Sequence, residues 1–305
     1  MFMYNPIRYV QENKDTKLKI FYFSLEMSAE QKLRQAISNK LYMETKGEVR
    51  IDPQSLRSVR QPVEDSILSQ VEGYSDYFKE FDKTVTFIDN IKNPYGIYKF
   101  MEDYAEQNGD THYKEKVFEN TKTGEKKVNR IFDYYEAYDP DEYVLIIIDH
   151  ISLISKEKEH RNLHESITKL SSDYLVKLRN RYNFSPVVIQ QQSAAQEGIE
   201  NMKANRLKPS LDGLADNKLT QRDADVILGL FSPYRHSIKQ YPEKGGYNIM
   251  KFKDQIRFME ILASREGGGN SLCPLYFDGA VNYFMELPSP DETKKIEQVY
   301  RKFLK

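Results

Sequence analysis

The run Val144-Leu145-Ile146-Ile147-Ile148, followed at once by Asp149, decides the fold class of this sequence. Its five apolar residues do not alternate with polar ones. A strand of this kind is buried on both faces, as in the middle of a parallel sheet. A carboxylate directly after such a run is costly unless it meets a cation or several hydrogen-bond donors. The stretch therefore predicts a parallel sheet and makes Asp149 a candidate functional residue.

The rest of the sequence alternates short apolar runs with helical patterns, which is typical of an α/β protein with a mostly parallel sheet flanked by helices. The predicted strands are Ile20–Leu25, Thr84–Ile88, Val144–Ile148, Pro186–Gln190, Val226–Phe231, Met259–Ala263, Leu275–Phe277 and Tyr283–Glu286. The last four include pairs without a helix-length spacer, which indicates an antiparallel C-terminal extension. Ser28 and Gln31 have capping-box spacing, which predicts a helix over Ala29–Lys40. An apolar stripe predicts another helix over Leu163–Arg181.

One segment interrupts this alternation. Residues 104–141 contain the turn-rich stretch Lys122–Lys127 between two runs of β-forming residues. This pattern predicts a hairpin insertion.

The composition excludes several classes of protein. With 45 Lys+Arg against 46 Asp+Glu the net charge is -1, which argues against a histone-like basic protein, although a local basic loop can still bind nucleic acid. A single cysteine excludes a disulfide framework, and no His/Cys cluster has zinc spacing. The longest strongly apolar run has five residues, against roughly 20 for a membrane span. We therefore expect no membrane segment and a cytoplasmic location.

Polar residues stand at four places at or just after the ends of predicted strands, where open α/β sheets bind their ligands. They are Glu26, Asp149, the run Gln190-Gln191-Gln192, and Arg265. Considered by itself, Glu26 also has a structural interpretation, because acidic side chains near a helix N-terminus interact favourably with the helix dipole. Together the four fit phosphoryl transfer, in which a carboxylate holds Mg²⁺, a second orients water, an amide senses phosphate and an arginine neutralises charge.

The sequence contains no phosphate-binding loop of the form G-x-x-x-x-G-K-[ST], and no glycine is followed by lysine. Gly267-Gly268-Gly269 does not replace it, because the stretch has no lysine and opens no predicted helix. The residues that would cradle a triphosphate are therefore not found.

Five stretches, in order along the chain, resemble motifs of DnaB-type replicative helicases. They are IFYFSLEMSAEQKL (Ile20–Leu33), VLIIIDHISLI (Val144–Ile154), SPVVIQQQSAA (Ser185–Ala195), LADNKLTQRDADVILGLF (Leu214–Phe231) and ILASREGGGNSLCPLYFDG (Ile261–Gly279). In that family they carry the catalytic glutamate, the Walker B carboxylate, the phosphate-sensing glutamine, the DNA-binding loop and the arginine finger. The connector RIDPQSLRSV (Arg50–Val59) fits as well. The resemblance implies a RecA-like P-loop NTPase motor domain over residues 1–305, similar to phage members of the family, without its first strand and P-loop.

The resemblance also implies roles for individual residues. Glu26 is expected to act as the general base or to orient the attacking water. Asp149 is expected to associate with Mg²⁺, Gln192 to sense the γ-phosphate of ATP, and Arg265 to reach a neighbouring subunit's nucleotide. DNA contacts are expected from Asp216, Asn217 and Lys218, with Lys203 and Arg206 adding non-specific affinity in a basic cluster that also contains Lys208. The alternative for this cluster is a solvated loop without a binding role. The resemblance also implies the partners of this chain: single-stranded DNA, further copies of the chain in a homo-hexamer, a primase and a helicase loader.

The missing phosphate loop leaves three explanations open. The chain is a fragment of a longer product, or a second polypeptide completes the sheet, or it is a non-catalytic module that binds DNA or a helicase ring. In the resembled fold the missing strand is internal, so its absence leaves unpaired strand edges. A RecA-class recombination ATPase is a further alternative, although the SLEMS and QRDADV stretches favour the helicase.

Overall fold

The computed structural model describes residues 3–57, 63–119, 123–193, 198, 200, 201, 207–214, 219–243, 245–267 and 271–303. None of the helices in these ranges is long and apolar enough to cross a membrane.

The described residues form α-helices and β-strands in alternation. The helices are α1 (Tyr4–Glu12), α2 (Ala29–Glu44), α3 (Asp65–Gly73), α4 (Ser75–Thr84), α5 (Pro94–Gln107), α6 (Leu163–Thr168), α7 (Val176–Tyr182), α8 (Thr220–Asp223), α9 (Ile249–Phe252) and α10 (Thr293–Phe303), and a π-helical segment over Lys169–Leu175 joins α6 to α7. The strands are β1 (Lys17–Ser24), β2 (Val85–Ile88), β3 (Gly109–Glu119), β4 (Lys126–Ala137), β5 (Glu142–Asp149), β6 (Ser185–Val188), β7 (Val226–Phe231), β8 (Gln240–Tyr241), β9 (Tyr247–Asn248), β10 (Ile256–Ser264), β11 (Leu272–Asp278) and β12 (Tyr283–Glu286). Short 3-10 turns occupy Ser55–Arg57, Ile151–Leu153, Leu211–Gly213, Pro233–His236 and Lys253–Gln255.

The chain divides into two compact units. The parallel unit comprises Met3–Glu26 and Phe81–Ile189, and the antiparallel unit comprises Met27–Glu80 and Gln190–Lys305. The description of residues 1–305 as one motor domain stays a prediction.

The parallel unit is built on a four-stranded sheet in the order β2-β1-β5-β6, with every neighbouring pair parallel. Ile146, Ile147 and Ile148 of β5 are each at most 1% exposed, although successive side chains point to opposite faces. Both faces of the central strands are therefore covered, as the uninterrupted apolar run predicts. Full burial of one such side chain stabilises the folded state by about 2 kcal/mol.

A helical layer covers one face of this sheet. Phe21 and Phe23 of β1 pack in a buried cluster with Ile97 and Met101 of α5 and Leu170 of the π-helical segment. The predicted helix over Leu163–Arg181 is present as the continuous run α6, π-helical segment and α7. The run ends at Asn183, which adopts the left-handed conformation that asparagine tolerates at a helix C-terminus.

The segment between α5 and β5 forms an antiparallel ribbon of β3 and β4. The two strands pair from Gly109 opposite Ala137 to Glu119 opposite Lys126, with one register shift between His112 and Tyr113.

The antiparallel unit has a four-stranded sheet of its own, in the order β12-β11-β10-β7. Its buried cluster includes Phe231 of β7, Phe252 of α9 and Phe258 of β10. Helix α2 begins with the predicted capping box, in which the Ser28 hydroxyl accepts a hydrogen bond from the Gln31 backbone N–H and the Gln31 side chain accepts one from Ser28. The cap satisfies backbone donors that would otherwise be unpaired at the helix start.

The predicted fold class is confirmed. Each of the eight predicted strands coincides with an observed strand to within three residues at each end. The C-terminal strands are antiparallel, as expected. They form a separate sheet, however, rather than an extension of the parallel one.

Candidate functional site

Glu26 and Asp149 come from the carboxyl ends of two adjacent strands. Ser24, the last residue of β1, is paired with Asp149, the last residue of β5. The Leu25 backbone N–H continues the ladder by donating a hydrogen bond of 2.8 Å to the Asp149 carbonyl. Glu26 is the next residue, so both carboxylates leave the same edge of the parallel sheet.

The Asp149 side chain is half-buried and is held by Tyr22. The Tyr22 hydroxyl donates a hydrogen bond of 2.5 Å to Asp149 Oδ2. Burial, followed by the nearby Asp149 charge, raises the pKa of Tyr22 far above its usual range. Tyr22 therefore stays protonated and remains a hydrogen-bond donor to the carboxylate at neutral pH.

Glu26 is exposed to solvent in the turn after β1. The preceding residue is fixed by Lys92, whose ammonium donates a hydrogen bond of 2.9 Å to the Leu25 carbonyl. The backbone next to Glu26 is thus tied to both Asp149 and Lys92, while its carboxylate is accessible. An accessible carboxylate on a fixed backbone is suited to orienting a water molecule.

Asp149 is the residue at this edge that could hold a divalent cation. Among the described residues, no group of three or more His, Cys, Asp or Glu side chains is arranged to hold a metal ion. Mg²⁺ keeps several waters and is usually bound by one or two carboxylates together with substrate phosphates. Asp149 supplies one such carboxylate.

Gln192 belongs to the antiparallel unit and forms an isolated bridge with Leu214. Its Nε2 atom donates a hydrogen bond of 3.3 Å to the Ser210 carbonyl. Its Oε1 atom is buried and has no hydrogen-bond partner in the described part of the chain. A Cβ atom at Gly213 would lie 2.2 Å from Oε1, so the amide group occupies space that a glycine leaves open. The Gln192 amide hydrogens, which could contact a phosphate, are therefore directed toward the segment that contains Ser210 and Gly213.

Arg265 lies directly after β10, in the same unit as Gln192. Its Nη1 atom is 3.0 Å from Asp225 Oδ1, and its Nη2 atom donates a hydrogen bond to the Arg222 carbonyl. Both partners of the ion pair are about half exposed, at 51% for Arg265 and 53% for Asp225. An exposed ion pair contributes at most about 1 kcal/mol to stability. An anion that binds Arg265 more strongly can therefore displace Asp225.

The structure thus brings together two of the four predicted catalytic residues. Glu26 and Asp149 share one sheet edge in the parallel unit, whereas Gln192 and Arg265 belong to the antiparallel unit.

The predicted DNA contacts Asp216, Asn217 and Lys218, and the cluster residues Lys203 and Arg206, lie outside the described residues. Lys208 is described, and its Nζ atom is 3.6 Å from Glu260 Oε2.

Sequence reasoning missed Tyr22, Lys92 and the pair Arg50–Asp278. The Arg50 guanidinium contacts both carboxylate oxygens of the buried Asp278, at 2.7 and 2.9 Å, and these hydrogen bonds raise the pKa of Arg50. This pair joins the connector that begins at Arg50 to the FDG sequence at the end of β11. Tyr22 had a signal, because a polar group two residues before a strand end lies near the functional edge.

Comparison with known proteins supports the fold. No family model and no curated protein matches this sequence. A structure described as a DnaB-like replicative helicase and its interactions with primase is similar with a TM-score of 0.60 at 15% identity, over 89% of this chain and 51% of that chain. A second structure, described as an ATPase domain, is similar with a TM-score of 0.59 at 15% identity, over 89% of this chain and 75% of that chain. This chain spans about half the length of the first protein, and its fold is similar to those of the two structures.

Proposed function

We propose that this chain is the ATP-hydrolysing motor domain of a DnaB-type replicative DNA helicase. The observation that carries the proposal is the placement of Glu26 and Asp149 at the carboxyl ends of adjacent parallel strands, in a fold shared with helicase ATPase domains. That edge is where open α/β sheets bind nucleotides.

In this proposal each residue at the edge has a separate task. Asp149 would hold a hydrated Mg²⁺, which would supply positive charge to the phosphates of ATP. Tyr22 keeps the Asp149 carboxylate in one orientation through its hydrogen bond. Glu26 accepts a hydrogen bond from the attacking water and aligns it with the γ-phosphate, which is positioning rather than covalent chemistry.

The triphosphate cradle comes from outside these 305 residues, either from the same product or from a second polypeptide. The sequence has no G-x-x-x-x-G-K-[ST] stretch that could provide the backbone amides and the lysine. Strand β6 supports this arrangement, because it pairs only with β5 among the described residues and has one edge open for a further strand.

In the proposed roles, Gln192 and Arg265 each exchange their present partner for nucleotide. The Gln192 amide would leave the Ser210 carbonyl, and the Arg265 guanidinium would leave Asp225. We assign Gln192 to the γ-phosphate of its own subunit and Arg265 to the nucleotide of the neighbouring subunit in a homo-hexamer.

Single-stranded DNA is the proposed nucleic acid along which the motor domain moves. Asp216, Asn217 and Lys218 contact its backbone, and Lys203 and Arg206 add salt-sensitive affinity. A primase is a proposed partner, since one similar structure is described with its interactions with primase. A helicase loader is proposed from the sequence resemblance alone.

A subunit-mixing experiment tests the shared site. Arg265→Ala rings should lose ATP turnover by about 10³-fold, because an arginine finger contributes at least that much. Because a finger acts on the neighbouring subunit, adding a subunit with Glu26→Gln, which keeps its own arginine, should restore turnover at the mixed interfaces. Arg235→Ala, an exposed arginine of the same unit, is the control and should keep full activity. Failure of the mixture to regain activity would assign Arg265 a role within its own subunit.

A non-catalytic module that binds DNA or a helicase ring is the second candidate. The observation that favours it is the missing phosphate loop. A native product that binds single-stranded DNA yet never binds ATP would support this candidate over the motor.

A further inference from the structure

The β3–β4 ribbon extends well beyond the part that packs on the parallel unit. At its base, the Tyr135 hydroxyl donates a hydrogen bond of 2.9 Å to the Ala105 carbonyl, and the Tyr135 and Phe132 rings lie 5.0 and 6.4 Å from the Tyr182 ring. Farther out, residues 113–119 and 123–130 are all exposed. A two-stranded ribbon exposed on both faces is marginally stable in water. The stability of the fold therefore does not explain the outer part.

The two faces of the outer part differ in charge. Side chains alternate between the faces, and directly opposed residues share a face. The inner face, on the side of Phe132, carries balanced charges, with Glu115 opposite Arg130 and Glu119 opposite Lys126. The outer face carries Lys114, Lys116, Phe118, Lys127, Asn129 and Ile131.

The outer face is positive at its distal end. Only Lys114 of its three lysines has an ion pair among the described residues, with Asp133 at 2.7 Å in the register shift. Lys116 Nζ lies 5.3 Å from the centre of the Phe118 ring, which is itself 43% exposed. The acids of this face, Asp110 and Glu136, oppose one another at the base of the ribbon. The acidic and basic ends are therefore separated along the ribbon.

We propose that the distal outer face of the β3–β4 ribbon binds single-stranded nucleic acid. Lys114 and Lys116 project from one strand at a spacing of about 7 Å, and Lys127 projects from the other, so a phosphate chain can follow the ribbon. Phe118 lies among these lysines and offers a ring on which an unpaired base can stack. A positive surface with an exposed aromatic ring is the combination that binds single strands without sequence preference.

Binding of a labelled oligothymidylate to the full chain, measured by fluorescence anisotropy over a range of salt concentrations, tests this proposal. The variant Lys116→Gln/Lys127→Gln removes two charges from the outer face. Lys126→Gln/Arg130→Gln removes two charges from the inner face of the same ribbon and is the matched control. The outer-face variant should bind several-fold more weakly, and the slope of log affinity against log salt should fall by about 1.4. Phe118→Ala should weaken binding without changing this slope.

Several outcomes would overturn the proposal. An equal loss of oligothymidylate affinity in the outer-face and inner-face variants would show a general charge effect. Wild-type affinity in the outer-face variant would show that this face does not bind the strand. Weaker binding of duplex alone, with single-strand binding intact, would assign the face to duplex. The experiment contains no ATP, so failure of the proposed hydrolysis would leave its result unchanged.

Discussion

Two tyrosines anchor opposite ends of β5, and only one of them lies at the candidate site. Tyr22 donates a hydrogen bond of 2.5 Å to Asp149, the last residue of the strand. Tyr104 donates one of 2.5 Å to Glu142, the first residue. In both cases burial is the main cause of a raised tyrosine pKa. Comparing substitutions at the two tyrosines therefore separates the effect of losing a buried hydroxyl from the effect of disturbing Asp149.

Tyr22→Phe and Tyr104→Phe should each lower the free energy of unfolding by about 2 kcal/mol, since each removes one hydrogen bond to a carboxylate. Only Tyr22→Phe should raise, several-fold, the Mg²⁺ concentration needed for half-maximal ATP hydrolysis. Urea unfolding and a Mg²⁺ titration of turnover measure the two effects. An equal shift in Mg²⁺ requirement for both variants would make Tyr22 a structural residue only.

At the residue scale, the sequence indicates chemistry at strand ends but not the contacts of each side chain. Asp149 is identifiable because a carboxylate follows five buried-type residues without a break. The contact of Arg265 with Asp225 joins residues 40 positions apart, so no local pattern predicts it. The same holds for Arg50 and Asp278.

At the scale of elements, apolar periodicity locates strands well but underestimates the length of four of the eight predicted strands. Strand β1 begins at Lys17, three residues before the apolar run, because Lys17 and Lys19 pair with Glu142 and Val144 in the backbone ladder. The Lys17 ammonium also contacts Asp139 at 2.5 Å. Backbone hydrogen bonds and ion pairs extend a strand where hydrophobicity gives no signal.

Strand β7 exposes an apolar row. Val226, Leu228 and Leu230 are 52%, 38% and 52% exposed, and β7 pairs only with β10 in the described part of the chain. An exposed apolar strand with an open edge favours pairing with other chains.

The variant Leu230→Lys should therefore reduce self-association of the isolated chain, with sedimentation velocity showing a larger monomer fraction. Leu68→Lys, at a leucine of α3 that is 45% exposed, is the control and should change nothing. Equal effects of the two substitutions would mean that added charge, and not the β7 row, controls association.

At the scale of the whole molecule, buried tyrosines should make the protein sensitive to alkali. Burial is the main cause of raised pKa values in a set of tyrosines from both units, namely Tyr22, Tyr77, Tyr98, Tyr104, Tyr135, Tyr241, Tyr247 and Tyr276. The pKa rises to about 12 for Tyr77, Tyr135 and Tyr276.

The folded chain keeps these protons while the unfolded chain loses them above its ordinary tyrosine pKa near 10. The stabilisation is therefore complete below about pH 10 and is lost as the pH rises to about 12 and beyond. Tyrosinate absorbance, followed together with circular dichroism, should show these tyrosines ionising only as the fold is lost. Ionisation of all 22 tyrosines near pH 10 with an intact dichroism spectrum would contradict this expectation.

The fold class of the whole chain follows from the order of its strands and helices, which is a local property. The division into two compact units does not, because no composition change or linker marks the boundary after Glu26 or before Gln190. The separation of Glu26 and Asp149 from Gln192 and Arg265 into different units could not be predicted for the same reason.

The most direct test of the account is Mg²⁺-ATP turnover by the native product that carries these 305 residues, compared between the wild type and Glu26→Gln. Turnover should fall at least about 100-fold in the variant, because a positioned base contributes that much, while nucleotide affinity stays at the wild-type level. Glu30→Gln, an exposed acid in the first turn of α2, should be fully active. Normal turnover by Glu26→Gln would contradict the assignment of Glu26, and a native product that neither binds nor hydrolyses ATP would contradict the motor itself.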